Sequence, residues 1–258
     1  MKNLKGNIRL IIIISLIGFS AFTLPSKKMK STNSDFILLE LFTSQGCSSC
    51  PSADKLLAKT YEEAQRNHKQ LFVLSYHVDY WDRLGWKDPF SQSLFTKRQY
   101  QYGEHFGLQG VYTPQVVVNG AKEFVGSDAR KLNSALENTS NPKAKIDISL
   151  EDVKWQNGQI SFGYNLKGDI KNSDLQVAIL SKKEETNIPR GENSGLKLSG
   201  SNVVRILQTI KATEKSTFSV ALPKDLLKEN TRIIVFAQDS NNSQVLGVEG
   251  FDFQGYLK

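Results

Sequence analysis

DFILLELFTSQGCSSCPSADKLL, residues 35–57, is the stretch on which the reading of this chain turns. Asp35 to Thr43 is a short apolar run rich in strand formers, which reads as a buried strand. Gly46 marks a turn, and Ser48 or Ser49 can cap a helix. From Pro51 to about Asn67 the pattern is helical. Ala53, Leu56, Leu57, Tyr61 and Ala64 recur at three- and four-residue spacing and form one apolar stripe. Pro51 suits a first helical turn, where its missing N–H has no bond to lose. Cys47 and Cys50 are the only cysteines in the 258 residues. Three residues apart, they cannot staple distant parts of a fold, so their value lies in chemistry or metal binding.

Working outward, Leu71 to Val78 is a second apolar strand, which makes a parallel crossover unit with the first. Residues 79–110 are irregular and then helical, roughly Gln92 to Phe106. Val116 to Val118 is a strand, Asn119-Gly120 is a strong two-residue hairpin signal, and Lys122 to Val125 is the return strand. A helix follows from about Ser127 to Asn138, with Ser127 and Asp128 as caps. This β-α-β-α-β-β-α order resembles the thioredoxin order. The turn at 140–143, Ser-Asn-Pro-Lys, reads as a domain boundary. Beyond it seven short strand candidates recur, Lys145–Leu150, Gln159–Leu166, Leu175–Ser181, Val203–Thr209, Thr217–Leu222, Arg232–Gln238 and Val245–Gly250, a number that suggests a β-sandwich. The expected fold is therefore an α/β thioredoxin-like domain, residues 35–141, followed by a mostly β, sandwich-like domain, residues 142–258. No internal repeat is evident.

The N-terminus differs from the rest. Lys2, Lys5 and Arg9 precede an apolar run from Leu10 to Phe22, the pattern of a secretory signal over residues 1–24. The run is shorter than the roughly 17–25 residues that span a bilayer. Membrane attachment is expected only if this segment is retained. Residues 25–34 read as a linker. The formal net charge is +7. Setting the first 24 residues aside leaves 30 bases against 26 acids, a balance with no electrostatic case for nucleic acid. The expected location is the periplasm or the exterior.

The cysteine pair admits more than one chemistry. Cys47 stands before the first helical turn and Cys50 inside it, and the free N–H groups of a helix start favour a thiolate at Cys47. On that reading Cys47 is the nucleophile and Cys50 resolves the mixed disulfide. No cofactor is needed. The substrate is an exported protein or a small-molecule thiol, and an unidentified redox partner resets the pair. Thr113-Pro114 comes about sixty residues later, before another strand. In thioredoxin-like folds a cis proline packs beside the disulfide at that place, with Thr113 free to meet a substrate. Glu40, in the first strand, is a possible proton relay for Cys50 or a solvent-facing acid. The competing reading is a copper carrier or sensor that uses Cys47, Cys50 and His77. A third is a protein-interaction module without catalysis. Tyr76 to Tyr112 holds ten aromatics in 37 residues. Tyr80, Trp81 and Trp86 are either a substrate groove or the core of a helical cap.

ELFTSQGCSSCPSADKLL (40–57), YHVDYWDRLGWKDPF (76–90), VYTPQVVVNG (111–120), IPRGENSG (188–195) and NVVR (202–205) together resemble a secreted bacterial family, domain of unknown function 1223. The resemblance implies a thioredoxin-like fold and an extracytoplasmic setting, and supplies no established reaction. Arg190, Glu192, Asn193, Asn202 and Arg205 are the polar residues of its second-half motifs. They form either a structural cluster between a loop and a strand or a group facing the cysteine pair across the two halves.

Overall fold

The computed structural model describes residues 35–137 and 143–253. The expected signal segment and the linker lie outside these residues, as does most of the turn read as a domain boundary. The first half contains β1 (Ile37–Thr43), α1 (Cys50–Arg66), β2 (Leu71–His77), α2 (Ser93–His105), β3 (Gln115–Val118), β4 (Lys122–Val125) and α3 (Ala129–Glu137). In the second half follow β5 (Ile146–Gln156), β6 (Gln159–Gly168), β7 (Ser173–Asn187), β8 (Lys197–Lys211), β9 (Lys215–Ala221), β10 (Thr231–Asp239) and β11 (Val245–Asp252).

Pairing of these strands corrects the expected fold class. They do not make an α/β thioredoxin-like domain followed by a separate β-sandwich. One mixed eight-stranded sheet runs β11-β10-β7-β8-β2-β1-β3-β4 through both halves, and β5-β6-β9 form a second, three-stranded sheet. The protein is mostly β, with three α-helices among the described residues. The seam between the halves is the parallel pairing of β2 with β8 at Ser75 and Val203, where the Ser75 hydroxyl donates to Ser201 O at 2.8 Å. The physical reason lies in β2. All seven of its residues, LFVLSYH, are buried, so its polar backbone edge needs a partner strand rather than water.

Packing follows the same rule. One cluster joins Leu38, Phe42, Leu74, Tyr76 and Phe95 of the first half to Ala178, Leu180, Val204, Ile234 and Phe236 of the second. On the other face of β7 and β10, Leu175, Val177, Ile179, Ile233 and Val235 pack against the three-stranded sheet. A third cluster seats α1 and α3, through Ala53, Leu57 and Leu132, on Leu39, Leu41 and Val73. The Asn119-Gly120 hairpin turn ties the halves again. Asn119 O accepts from Val245 N at 3.0 Å, and Asn119 Oδ1 accepts from Leu38 N at 2.7 Å. Gly120 has φ +66, and a Cβ there would lie 1.9 Å from Ser243 O, so only glycine fits.

Candidate redox site

β1 ends at Thr43 and α1 begins at Cys50, so the chain between them forms a tight turn at the C-terminal edge of the sheet. Cys47 N bonds to Ser44 O and Cys50 N to Cys47 O, each at 3.2 Å. These turns bring the two sulfurs together, and Cys47 and Cys50 are joined in a disulfide. Both are fully buried, at 0% exposure, whereas Ser48 and Ser49 between them are exposed. Ser49 is the N-cap of α1, but its hydroxyl makes no capping bond. It lies instead 3.4 Å from Cys47 Sγ. Pro51 sits in the first turn, as its lack of an N–H favours.

The Thr113–Pro114 peptide bond is cis, and Thr113 O lies 4.0 Å from Cys47 Sγ. Trp81 Nε1 donates to Thr113 Oγ1 at 2.8 Å, and Trp86 Nε1 donates to Gln45 Oε1 at 3.2 Å. One indole is thus fastened to the cis-proline segment beside Cys47 and the other to the cysteine turn. Tyr80 packs with Trp81 on the core beside α2, and burial pushes its hydroxyl up to about 12. Gly46 leaves room for Trp81, whose Cβ would stand 3.3 Å from an added Cβ.

Glu40 is not beneath the cysteines. Side chains alternate along β1, so Glu40 shares the face of Leu38 and Phe42, opposite the α1 face of Leu39 and Leu41. It is fully buried and pairs with Arg98 of α2 through two hydrogen bonds of 2.6 and 3.0 Å. Tyr102 donates to it at 2.5 Å. Gln238 of β10 accepts from Arg98 at 3.1 Å, which completes a closed polar network far from a relay role. Burial works against the Arg98 charge, but Glu40 outweighs it and holds the guanidinium pKa above its ordinary value.

Asp54 is the acid on the cysteine side. It is one turn after Cys50 on α1, a spacing that puts Cβ atoms about 5–6 Å apart on one helix face. The Thr43 hydroxyl donates to its carboxylate at 3.1 Å. Burial lifts its pKa from 3.8 to about 6, against the pull of His77. His77, paired with Thr43 across β1 and β2, sits on the same face. Its Nδ1 is 2.6 Å from Asp88 Oδ2, and its buried Nε2 has no hydrogen-bond partner among the described residues. Burial disfavours the imidazolium, but Asp88 more than compensates and raises the His77 pKa. Burial likewise pushes Asp88 up. The His77 charge and the backbone donors Gln45 N and Phe90 N prevail, so it lies below its ordinary value.

The disulfide form does not present the free sulfurs that a copper ion would need. No group of three His, Cys, Asp or Glu side chains poised to hold a metal ion occurs among the described residues. His77 is committed to Asp88, and the two sulfurs to each other.

The second-half motif residues divide. The loop between β7 and β8 is folded on itself by Ile188 N to Leu196 O and Gly195 N to Ile188 O, at 2.9 and 2.8 Å. Its tip lies on the cysteine turn. Buried Asn193 donates from Nδ2 to Gln45 O at 2.9 Å and to Cys47 O at 3.0 Å. Glu192 accepts from Ser48 N at 3.0 Å. Gly191 packs against Trp86 and Gly85. Arg190 is exposed. Arg205 pairs instead with Glu184 and Asp225, at 3.1 and 2.6 Å, and stacks over Phe90. Asn202 Oδ1 accepts from Arg232 at 2.5 Å. So Glu192 and Asn193 face the pair, while Arg205 and Asn202 brace strands. Sequence reasoning passed over Asp54, Asp88, Gln45 and Arg98. The position of Asp54, four residues after Cys50, was the one available signal.

A family model described as "Protein of unknown function (DUF1223)" matches residues 38–238. Among solved structures, a protein from Agrobacterium tumefaciens is 28% identical, with a TM-score of 0.65 over 86% of this chain and 96% of that one. HBP35 of Porphyromonas gingivalis shares the fold at 14% identity and a TM-score of 0.53, over 89% of this chain and 80% of that one. No curated protein matches the chain.

Proposed function

Because the chain belongs to DUF1223, a family whose function is unknown, we propose its activity from the chemistry of the site: thiol–disulfide exchange through the Cys47/Cys50 couple. The observation that carries the reading is a disulfide closed across the first turn of α1 with a carboxyl, Asp54, one turn further along the same helix.

In the reductive direction the pair starts as a dithiol. Cys47 loses its proton at the helix start and attacks one sulfur of a substrate disulfide. A Cys47–substrate bond forms, the substrate bond breaks, and the leaving sulfur takes the electron pair and then a proton. Cys50 next attacks Cys47 Sγ and gives its proton to Asp54, whose pKa of about 6 leaves it ionised and able to accept at pH 7. The mixed disulfide breaks, and the second substrate sulfur leaves as a thiolate. The substrate gains two electrons and the pair is oxidised. Run backward, the same steps oxidise a substrate dithiol. A second thiol or disulfide partner resets the couple.

Exported proteins and small thiols are the substrates this chemistry suits. The basic-then-apolar N-terminus supports an extracytoplasmic setting, where disulfides persist. The test is equilibration in glutathione buffers, followed by turnover of a small aromatic disulfide. We expect reversible titration of the pair, loss of turnover in Cys47→Ser, and a trapped aryl mixed disulfide in Cys50→Ser. A pair that does not titrate, or a Cys47→Ser variant that turns over normally, refutes the proposal.

A further inference from the structure

Two side chains of the β7–β8 loop tip reach the cysteine turn, and they differ in charge. Asn193 contributes a neutral amide that binds two carbonyls. Glu192 contributes a carboxylate that takes the Ser48 N–H, beside Cys47 at the start of α1. Hydrogen bonds from Ser48 hold that carboxyl below the usual carboxylate range, so it is ionised at neutral pH. Its interactions are with Ser48, and no cation among the described residues contributes to them. A helix N-terminus favours one negative charge, and here two groups compete for it: the Glu192 carboxylate and a Cys47 thiolate. The disulfide is neutral and offers no competition. It is also fully buried beneath its neighbours, so an attacking sulfur needs part of this cover moved.

We infer that Glu192 makes the grip of the β7–β8 hairpin tip depend on the state of the cysteine pair: the tip is seated on the disulfide and loosened by the thiolate. The inference rests on the dithiol–disulfide reading. A dithiol reductant supplies two electrons and two protons, the Cys47–Cys50 bond breaks, and two thiols form. Cys47 then gives its proton to solvent, and the new negative charge stands beside the Glu192 carboxylate. Like charges at one helix terminus repel, and the exposed, uncompensated Glu192 is the group free to leave. Oxidation removes the charge and lets the tip return.

The experiment is hydrogen–deuterium exchange of the segment 188–196 in the full chain at pH 7 and low salt, oxidised and reduced. The expected result is exchange roughly two- to fivefold faster in the reduced protein, the scale of one charge at a helix N-terminus. In 1 M salt, where the screening length is about 3 Å, the difference should shrink. Glu192→Gln keeps an acceptor without the charge, and should show equal exchange in both states. Cys47→Ser with Cys50→Ser has neither disulfide nor thiolate, and should exchange like the oxidised wild type. Equal exchange in the two wild-type states, a difference that survives Glu192→Gln, or a double serine variant as loose as the reduced protein would each overturn the inference. Alkylation of Cys47 by iodoacetamide in the same samples separates the two levels. A still tip beside a rapidly alkylated Cys47 defeats the latch and leaves the redox reading standing. Thiols that neither alkylate at neutral pH nor reform the disulfide defeat both.

Discussion

Replacing Asp54 by Asn should stabilise the oxidised protein, and only above about pH 4. Burial lifts this carboxyl from 3.8 to about 6, against attraction to His77 and a hydrogen bond from Thr43. A difference of that size corresponds to roughly 3 kcal/mol of penalty on the ionised side chain in the folded state. The side chain is half-buried, so water screens part of the penalty. The attraction to His77 is already contained in that net shift. A net gain of roughly 1–2 kcal/mol at pH 7 remains. The sign follows from proton linkage. An acid whose folded pKa exceeds its unfolded value binds its proton more tightly when folded. The wild type is therefore progressively destabilised as pH rises from about 4 to about 6, and no further above that. Thermal unfolding followed by circular dichroism from pH 4 to 8 reads this directly. At roughly 2–4 °C per kcal/mol for a protein of this size, the variant should melt roughly 2–8 °C higher at pH 7 and coincide with the wild type near pH 4. A variant less stable than wild type at pH 7, or a gain that is the same at every pH, would refute the burial argument. The same substitution should slow closure of the mixed disulfide by Cys50, visible as its accumulation during turnover.

Other perturbations separate scaffold from chemistry. Glu40→Gln removes the partner of buried Arg98 and should lower the free energy of urea unfolding by roughly 3–5 kcal/mol, while the Cys47/Cys50 reduction potential stays unchanged. Asn193→Ala takes a donor from two carbonyls in the cysteine turn. It should cost roughly 2–4 kcal/mol and speed reduction of the disulfide by dithiothreitol, measured by thiol release. Gly120→Ala forces a Cβ against Ser243 O in a left-handed turn. It should lower stability by more than about 2 kcal/mol, and a change under 0.5 kcal/mol would show that the turn yields.

Local features were legible in the sequence because local physics writes them. The apolar run of β1, the stripe of α1 and the Asn119-Gly120 turn each depend on neighbours within a few residues. All seven strands expected beyond residue 142 occur, but their partners do not follow from their own sequences. LQVAILS, residues 175–181, is buried without alternation. That continuity, read instead as part of a sandwich strand, is the mark of a strand covered on both faces. The β2–β8 seam joins residues more than a hundred positions apart, and no nearby signal encodes it. Glu40 illustrates the same limit. Its burial could be guessed from FILLELF, but its partner Arg98 lies 58 residues on. Around the site, the cysteine spacing pointed to the disulfide, while the acid on that side of the sheet is Asp54, concealed as an ordinary polar position on an amphipathic helix.

The bonds from Asn193 also set an order of events at the ribosome. Cys47 is synthesised 146 residues before the amide that will cover its carbonyl. At roughly 5–20 residues per second, the nascent cysteines spend about 7–30 s without that cover. For that interval nothing from the second half of the chain shields them from an oxidant or a thiol. The finished protein is guarded at this spot, and its own unfinished chain is not.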